Sequence, residues 1–181
     1  MVDSFIQSLK APKDIASFKM DWEMSLVHLE RVWNRVEGAF GNSAKWGGFS
    51  GKYQRARRED QLLAYLRMAR DSAEHGITEI TNTIPGGMAI NPVDKSKPVV
   101  IHSLHVSDGR VTMSGSENAQ VEIIPPHVEL VPVTNRGVVK NVPTLHMGIS
   151  LENVTMAEAL QMARDYYSGL IDQAAAFFEK A

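Results

Sequence analysis

The sequence predicts an α+β protein: an antiparallel bundle of about three long helices, with an antiparallel β segment inserted between the second and third. Three observations predict it. Apolar residues recur every three or four positions near both ends of the chain, as amphipathic helices require. β-branched residues and turn signals crowd the middle. Seven of the eight prolines lie between Pro85 and Pro143, where they work against any long helix.

The first helix is carried by Ile15, Phe18, Trp22, Leu26, Leu29, Trp33, Val36 and Phe40, a single stripe at steps of three or four. Lys19, Asp21, Glu23, Glu30, Arg31, Asn34 and Glu37 occupy the other face. Pro12 precedes this helix, and Gly41-Asn42 supplies a stop. Residues 41–54 read as a loop because Gly41, Gly47, Gly48 and Gly51 fall within them. A second helix starts near Asp60, a suitable N-cap, and buries Leu62, Leu63, Leu66, Ala69 and Ala73. Gly76 ends it, just after His75.

The texture then changes. Residues 77–84, 98–106, 111–113, 121–124 and 128–133 read as short strands, about four to six in all. Asp108-Gly109 and Arg136-Gly137 are tight-turn signals. The third helix opens at Thr155, whose hydroxyl and the Glu158 carboxylate form a capping box. Met156, Leu160, Ala163, Tyr167, Leu170, Ala174 and Phe177 or Phe178 continue it. The expected organisation is one domain, 1–181, with a helical bundle at 13–76 and 153–180 and a β-rich insertion at 77–150. A stack of all the helices on one face of the sheet is the competing arrangement.

Composition narrows the chemistry. The 181 residues are 44% hydrophobic and carry a formal net charge of −2, so any binding of a polyanion must come from a local patch. Without cysteine there are no disulfides, thiolate metal sites or Cys nucleophile. No apolar run approaches a membrane span, and the first residues lack a signal peptide, so a cytoplasmic protein without a membrane partner is expected. His102 and His105 are an odd number apart and would face opposite sides of a strand. With His127 and His146 they read as scattered surface residues, and neither metal nor cofactor is expected.

One constellation suits chemistry. Arg70 and His75 are separated by four residues near the end of the second helix, and Asp71 directly follows the arginine. Here the chain resembles the HEPN superfamily (higher eukaryotes and prokaryotes nucleotide-binding), in an uncharacterised bacterial branch with a β insertion. The stretch 13–76 carries the likeness. The resemblance implies a metal-independent RNase or a toxin- or defence-type RNA-binding protein acting as a homodimer. Arg70 would be the motif arginine, Asp71 the polar position and His75 the motif histidine. A histidine titrates near neutral pH and can move the 2′-hydroxyl proton, while an arginine grips phosphate oxygens. The same residues also admit a purely local reading: Arg67 pairing with Asp71, Arg70 with Glu74, and His75 facing the helix dipole.

The preceding loop interleaves cations with rings. Lys45, Trp46, Lys52, Tyr53, Arg55, Arg57 and Arg58 are candidates to hold phosphates and stack bases. The local alternative tucks Trp46, Phe49 and Tyr53 under the loop as a satellite core. A second functional expectation belongs to another class. The β segment has no role in the RNase reading, so it could bind a protein or small ligand in a non-catalytic interaction module.

Overall fold

The structure, a computed structural model, describes residues 2–75, 79–107, 110–115 and 117–179. The fold is α+β, with five helices and ten short strands among these residues. The helices are α1 (Val2–Lys10), α2 (Ile15–Phe40), α3 (Trp46–Glu59), α4 (Gln61–Glu74) and α5 (Met156–Phe178). The chain divides into two compact units, one of Met1–Thr83 with Val128–Ala181 and the other of Ile84–His127. The expectation of three long helices and a single inserted β segment at 77–150 is therefore corrected. Residues 128–150 belong with the helices, and only 84–127 form the separate β unit.

The helix stripes fall where the periodicity puts them. Trp22, Leu26, Leu29, Trp33 and Val36 of α2 are buried, as are Leu62, Leu63, Leu66 and Ala69 of α4 and Leu160, Ala163, Tyr167, Leu170 and Ala174 of α5. Asp14 caps α2, its carboxylate accepting from Ser17 N at 2.7 Å, and Thr155 with Glu158 forms the capping box of α5. α1, which the sequence reading left out, buries Ile6 and Leu9 against α2 and α5. Ser8 Oγ donates to Asp21 to fix it there.

The stretch read as a loop is the second correction: residues 46–59 are helix α3. Glycine in a helix interior costs about 1 kcal/mol relative to alanine. Burial overrides that cost. Trp46, Phe49, Tyr53 and Arg57 lie at i, i+3, i+7 and i+11 and are all buried. Their rings join the main core: Trp33–Trp46 at 6.0 Å, Phe49–Tyr53 at 5.1 Å and Phe49–Phe178 at 5.3 Å between centroids.

The strands pair only as two-stranded ladders. In the helical unit, β7 (Val133–Asn135) pairs with β8 (Val138–Lys140), and β9 (Leu145–His146) with β10 (Ile149–Ser150). Both hairpins turn through two residues with positive φ, Arg136 (49°) and Gly137 (78°) in one, Met147 (49°) and Gly148 (82°) in the other. That is the geometry of tight hairpin turns matching strand twist. β1 (Thr81–Ile84) pairs with β6 (His127–Leu130).

In the second unit β2 (Gly87–Pro92) pairs antiparallel with β5 (Ala119–Ile124), and β3 (Ser103–Ser107) with β4 (Arg110–Ser114). β2 escaped the sequence reading because Gly87 and Pro92 bracket it. None of this unit's described residues is buried. The Gly76 stop and the Asp108-Gly109 turn lie outside the described residues. Among the described residues, no helix is long and apolar enough to cross a membrane.

A Cβ placed on Gly48 of α3 would meet nothing within 4 Å. Gly48→Ala is therefore expected to stabilise the protein by about 0.5–1 kcal/mol. Urea denaturation should show a higher midpoint at an unchanged slope.

Candidate nucleic-acid interface

α4 is the element on which the site is built. It packs on α2, α3 and α5 and on strands β7, β8 and β9. Asp60 sits between α3 and α4 in an extended conformation. Its backbone N–H donates to Ala56 O, ending α3, and its Oδ1 accepts from Leu63 N at 3.0 Å, opening α4. The same carboxylate holds the β9–β10 hairpin: Oδ1 lies 2.9 Å from His146 Nδ1, and Oδ2 accepts from Met147 N at 2.7 Å. His146 is only 5% exposed, which corrects its reading as a surface histidine. The hairpin β7–β8 is pinned farther along α4. Tyr65 Oη donates to Val131 O at 2.7 Å, and Ser72 Oγ to Thr134 O at 3.2 Å. Burial of the Tyr65 phenol raises its pKa well above the ordinary value.

These contacts create a groove. Ala64, Arg67, Met68 and Asp71 lie at i, i+3, i+4 and i+7 on one face of α4 and form one wall. The end of α3 supplies Arg57 and Arg58, and the hairpin supplies Asn135, Arg136, Val138 and Lys140. The enclosed volume is about 360 Å³. Arg58, Arg67, Arg136 and Lys140 have no ion-pair partner among the described residues. The one carboxylate on the wall, Asp71, is engaged by Arg70, whose Nη1 donates to Oδ1 at 2.9 Å. The groove is thus a concave surface with surplus positive charge, in a chain whose net charge is slightly negative.

The sequence candidates divide into distinct groups. Arg70 is held within its own helix by Asp71 and, at 2.8 Å, by Glu74. Partial burial opposes its charge, but the two carboxylates raise its pKa above the ordinary arginine value. His75 is exposed at the end of α4, its backbone N–H donating to Asp71 O at 3.3 Å. Neither Arg70 nor His75 lines the groove. The Arg70–Glu74 pair of the local reading is present. Its Arg67–Asp71 pair is not, because Arg70 takes Asp71 and leaves Arg67 facing the groove.

Trp46 and Tyr53 are core residues, 8% and 5% exposed, so their rings offer no face to a base. Arg57 is buried too. Its Nη2 donates to both carboxylate oxygens of Glu30, at 2.7 and 2.6 Å, and its guanidinium carbon stands 4.2 Å from the centroid of the Trp33 ring. It is a strut between α2 and α3. Lys45, Lys52, Arg55 and Arg58 are exposed, and Lys52 Nζ donates to Gln173 Oε1 at 2.9 Å. Of the seven loop candidates, only Arg57 and Arg58 reach the groove. Arg67, Arg136 and Lys140 were not among the candidates. Arg136 carried a usable signal, since a turn residue at a hairpin tip must face outward. No group of three or more His, Asp or Glu side chains is arranged to hold a metal among the described residues. Comparisons with known proteins find no matching family model, no matching curated protein and no matching solved structure.

Arg57 and Arg58 should respond oppositely to truncation. Arg57→Ala strands Glu30 beside the core and should cost about 3–5 kcal/mol. Arg58→Ala should change stability by less than about 0.5 kcal/mol. Paired chemical melts of the two variants check this difference.

Proposed function

We propose that this chain is a HEPN-like RNA-binding protein whose groove between α3, α4 and the β7–β8 hairpin holds a sugar–phosphate backbone. The observation that carries the reading is the convergence of Arg58, Arg67, Arg136 and Lys140, uncommitted to carboxylates, on one concave surface. Phosphate oxygens are natural partners for such a set, because arginine donors bind them in a fork and remain charged at any physiological pH. The chain's overall charge gives no long-range attraction, so binding depends on this local surface.

RNA cleavage extends the same reading. His75 is exposed to solvent and stands about one and a half turns beyond Arg70 on α4. In that scheme His75 takes the 2′-hydroxyl proton and Arg70 exchanges a carboxylate for the scissile phosphate. The 2′-oxygen then closes on phosphorus to give a 2′,3′-cyclic phosphate as the P–O5′ bond breaks, and His75 of a second copy of the chain gives a proton to the leaving 5′-oxygen. The local commitment of Arg70 to Asp71 and Glu74 places binding ahead of cleavage.

Fluorescence anisotropy with a single-stranded RNA oligomer tests the binding claim. Four phosphate contacts give a log–log salt slope of about −3, and Arg67→Ala with Arg136→Ala should reduce its magnitude by about 1.4. An unchanged slope would remove the groove from the interface. Incubation of the same RNA with chelator tests the extension: cleavage that His75→Ala abolishes supports it, and cleavage that survives the substitution refutes it.

A different observation favours a protein-binding role for 84–127. Leu104, Val106, Ile123 and Ile124 of that unit are all more than 40% exposed. A chain with residues 86–125 replaced by a short glycine–serine link should keep its RNA affinity under this division of labour. Loss of RNA binding would assign the nucleic acid to the β unit instead.

A further inference from the structure

A second cavity, of about 350 Å³, lies between α1, α2 and α5 and shares no residue with the groove. Its α2 wall is His28, Leu29, Arg31, Val32 and Arg35, one face of the helix. Arg31 and Arg35 are exposed and lack an ion-pair partner among the described residues. Like charges one turn apart on a helix destabilise it by a few tenths of a kcal/mol, and a bound anion would relieve that repulsion.

The opposite rim is fixed differently. Arg164 of α5 is committed: its Nε lies 2.9 Å from Asp3 Oδ1 and its Nη1 3.0 Å from Asp165 Oδ1. Asp165 does not line the cavity, so on the lining itself the Arg164 guanidinium and the Asp3 carboxylate cancel. Arg31 and Arg35 then leave the lining with a surplus of two positive charges by formal count. That surplus suits an anionic headgroup.

The remaining lining is mostly apolar, with Ser168 and His28 the polar exceptions. Val2, Leu29, Val32 and Ile171 present hydrocarbon, and Tyr167 adds a ring. His28 is stacked on Phe5 with centroids 5.4 Å apart. Partial burial and the neighbouring charge of Arg31 lower its pKa, which favours the neutral, hydrogen-bonding ring. The volume lies within the range of small-ligand sites, which combine an apolar lining with a few placed polar groups.

We infer that this cavity binds a small amphipathic carboxylate, with its headgroup between Arg31 and Arg35 and its hydrocarbon tail against Val32 and Ile171. The two arginines supply charge-assisted hydrogen bonds to the carboxylate, and the tail removes apolar surface from water. Neither half of the ligand suffices alone.

Isothermal titration with octanoate, octanol and inorganic phosphate tests the assignment on the intact chain. Octanoate should bind at least about tenfold more tightly than either control. Arg31→Gln with Arg35→Gln should weaken octanoate by about tenfold or more while leaving octanol unchanged. Ile171→Glu, at a residue already 45% exposed, should abolish octanoate binding without disturbing the far-ultraviolet circular dichroism. No octanoate binding at millimolar concentration, equal binding of octanol or phosphate, or octanoate binding indifferent to the arginine pair would each overturn the proposal.

Discussion

One carboxylate sets the geometry on which the groove depends. Asp60 ends α3, opens α4 and receives the β9–β10 hairpin through His146 and Met147, all with a side chain 7% exposed. A cap of this kind is worth about 1 kcal/mol. Each further hydrogen bond to a charged group contributes about 1.5–3 kcal/mol. The adjoining Gln61 Oε1 accepts from both the backbone and the hydroxyl of Thr144, at 3.0 Å each. The angle between α3 and α4 is thus locked at its vertex. That angle decides whether Arg58 and Arg67 face one another across a cleft or diverge.

In a near-neutral protein a local basic surface requires that charges be segregated, and the helical unit does so by pairing some and sparing others. Arg57, Arg70 and Arg164 are each held by carboxylates and serve packing. Arg58, Arg67, Arg136 and Lys140 are spared at the groove, and Arg31 and Arg35 at the second cavity. Arginine count alone says little about binding. What matters is which guanidinium groups the fold has already neutralised.

Much of the architecture was legible because periodicity is a local property. The stripes of α2, α4 and α5 could be read directly, as could the Thr155–Glu158 capping box and the Arg136-Gly137 turn. α3 was not legible, because its glycines speak for a loop and only the rings of Trp33 and Phe178 speak for a helix. Those partners are distant in sequence. Likewise, nothing local tells that Asp60 and His146, 86 residues apart, share a hydrogen bond. The groove was half visible: Arg58 stood out in a basic run, while Arg67 and Lys140 acquire meaning only when the β7–β8 hairpin docks on α4. For Trp46 and Tyr53 the sequence left a base-stacking and a core reading open, since aromatic residues among cations look alike whether they face solvent or the core; burial favours the core.

The helical unit is discontinuous in sequence, and this has a consequence for biosynthesis. Leu63, Leu66, Trp22 and Leu29 are made before the β unit, but α5, which helps to cover them, is made only after it. At the usual elongation rate of about 5–20 residues per second, the roughly 95 residues that follow Thr83 take on the order of 5–20 s to appear. Through that interval the nascent chain carries an apolar surface that it cannot yet close. Ribosome-associated chaperones should therefore engage the stretch before α5 more persistently than they would in a bundle whose helices are contiguous.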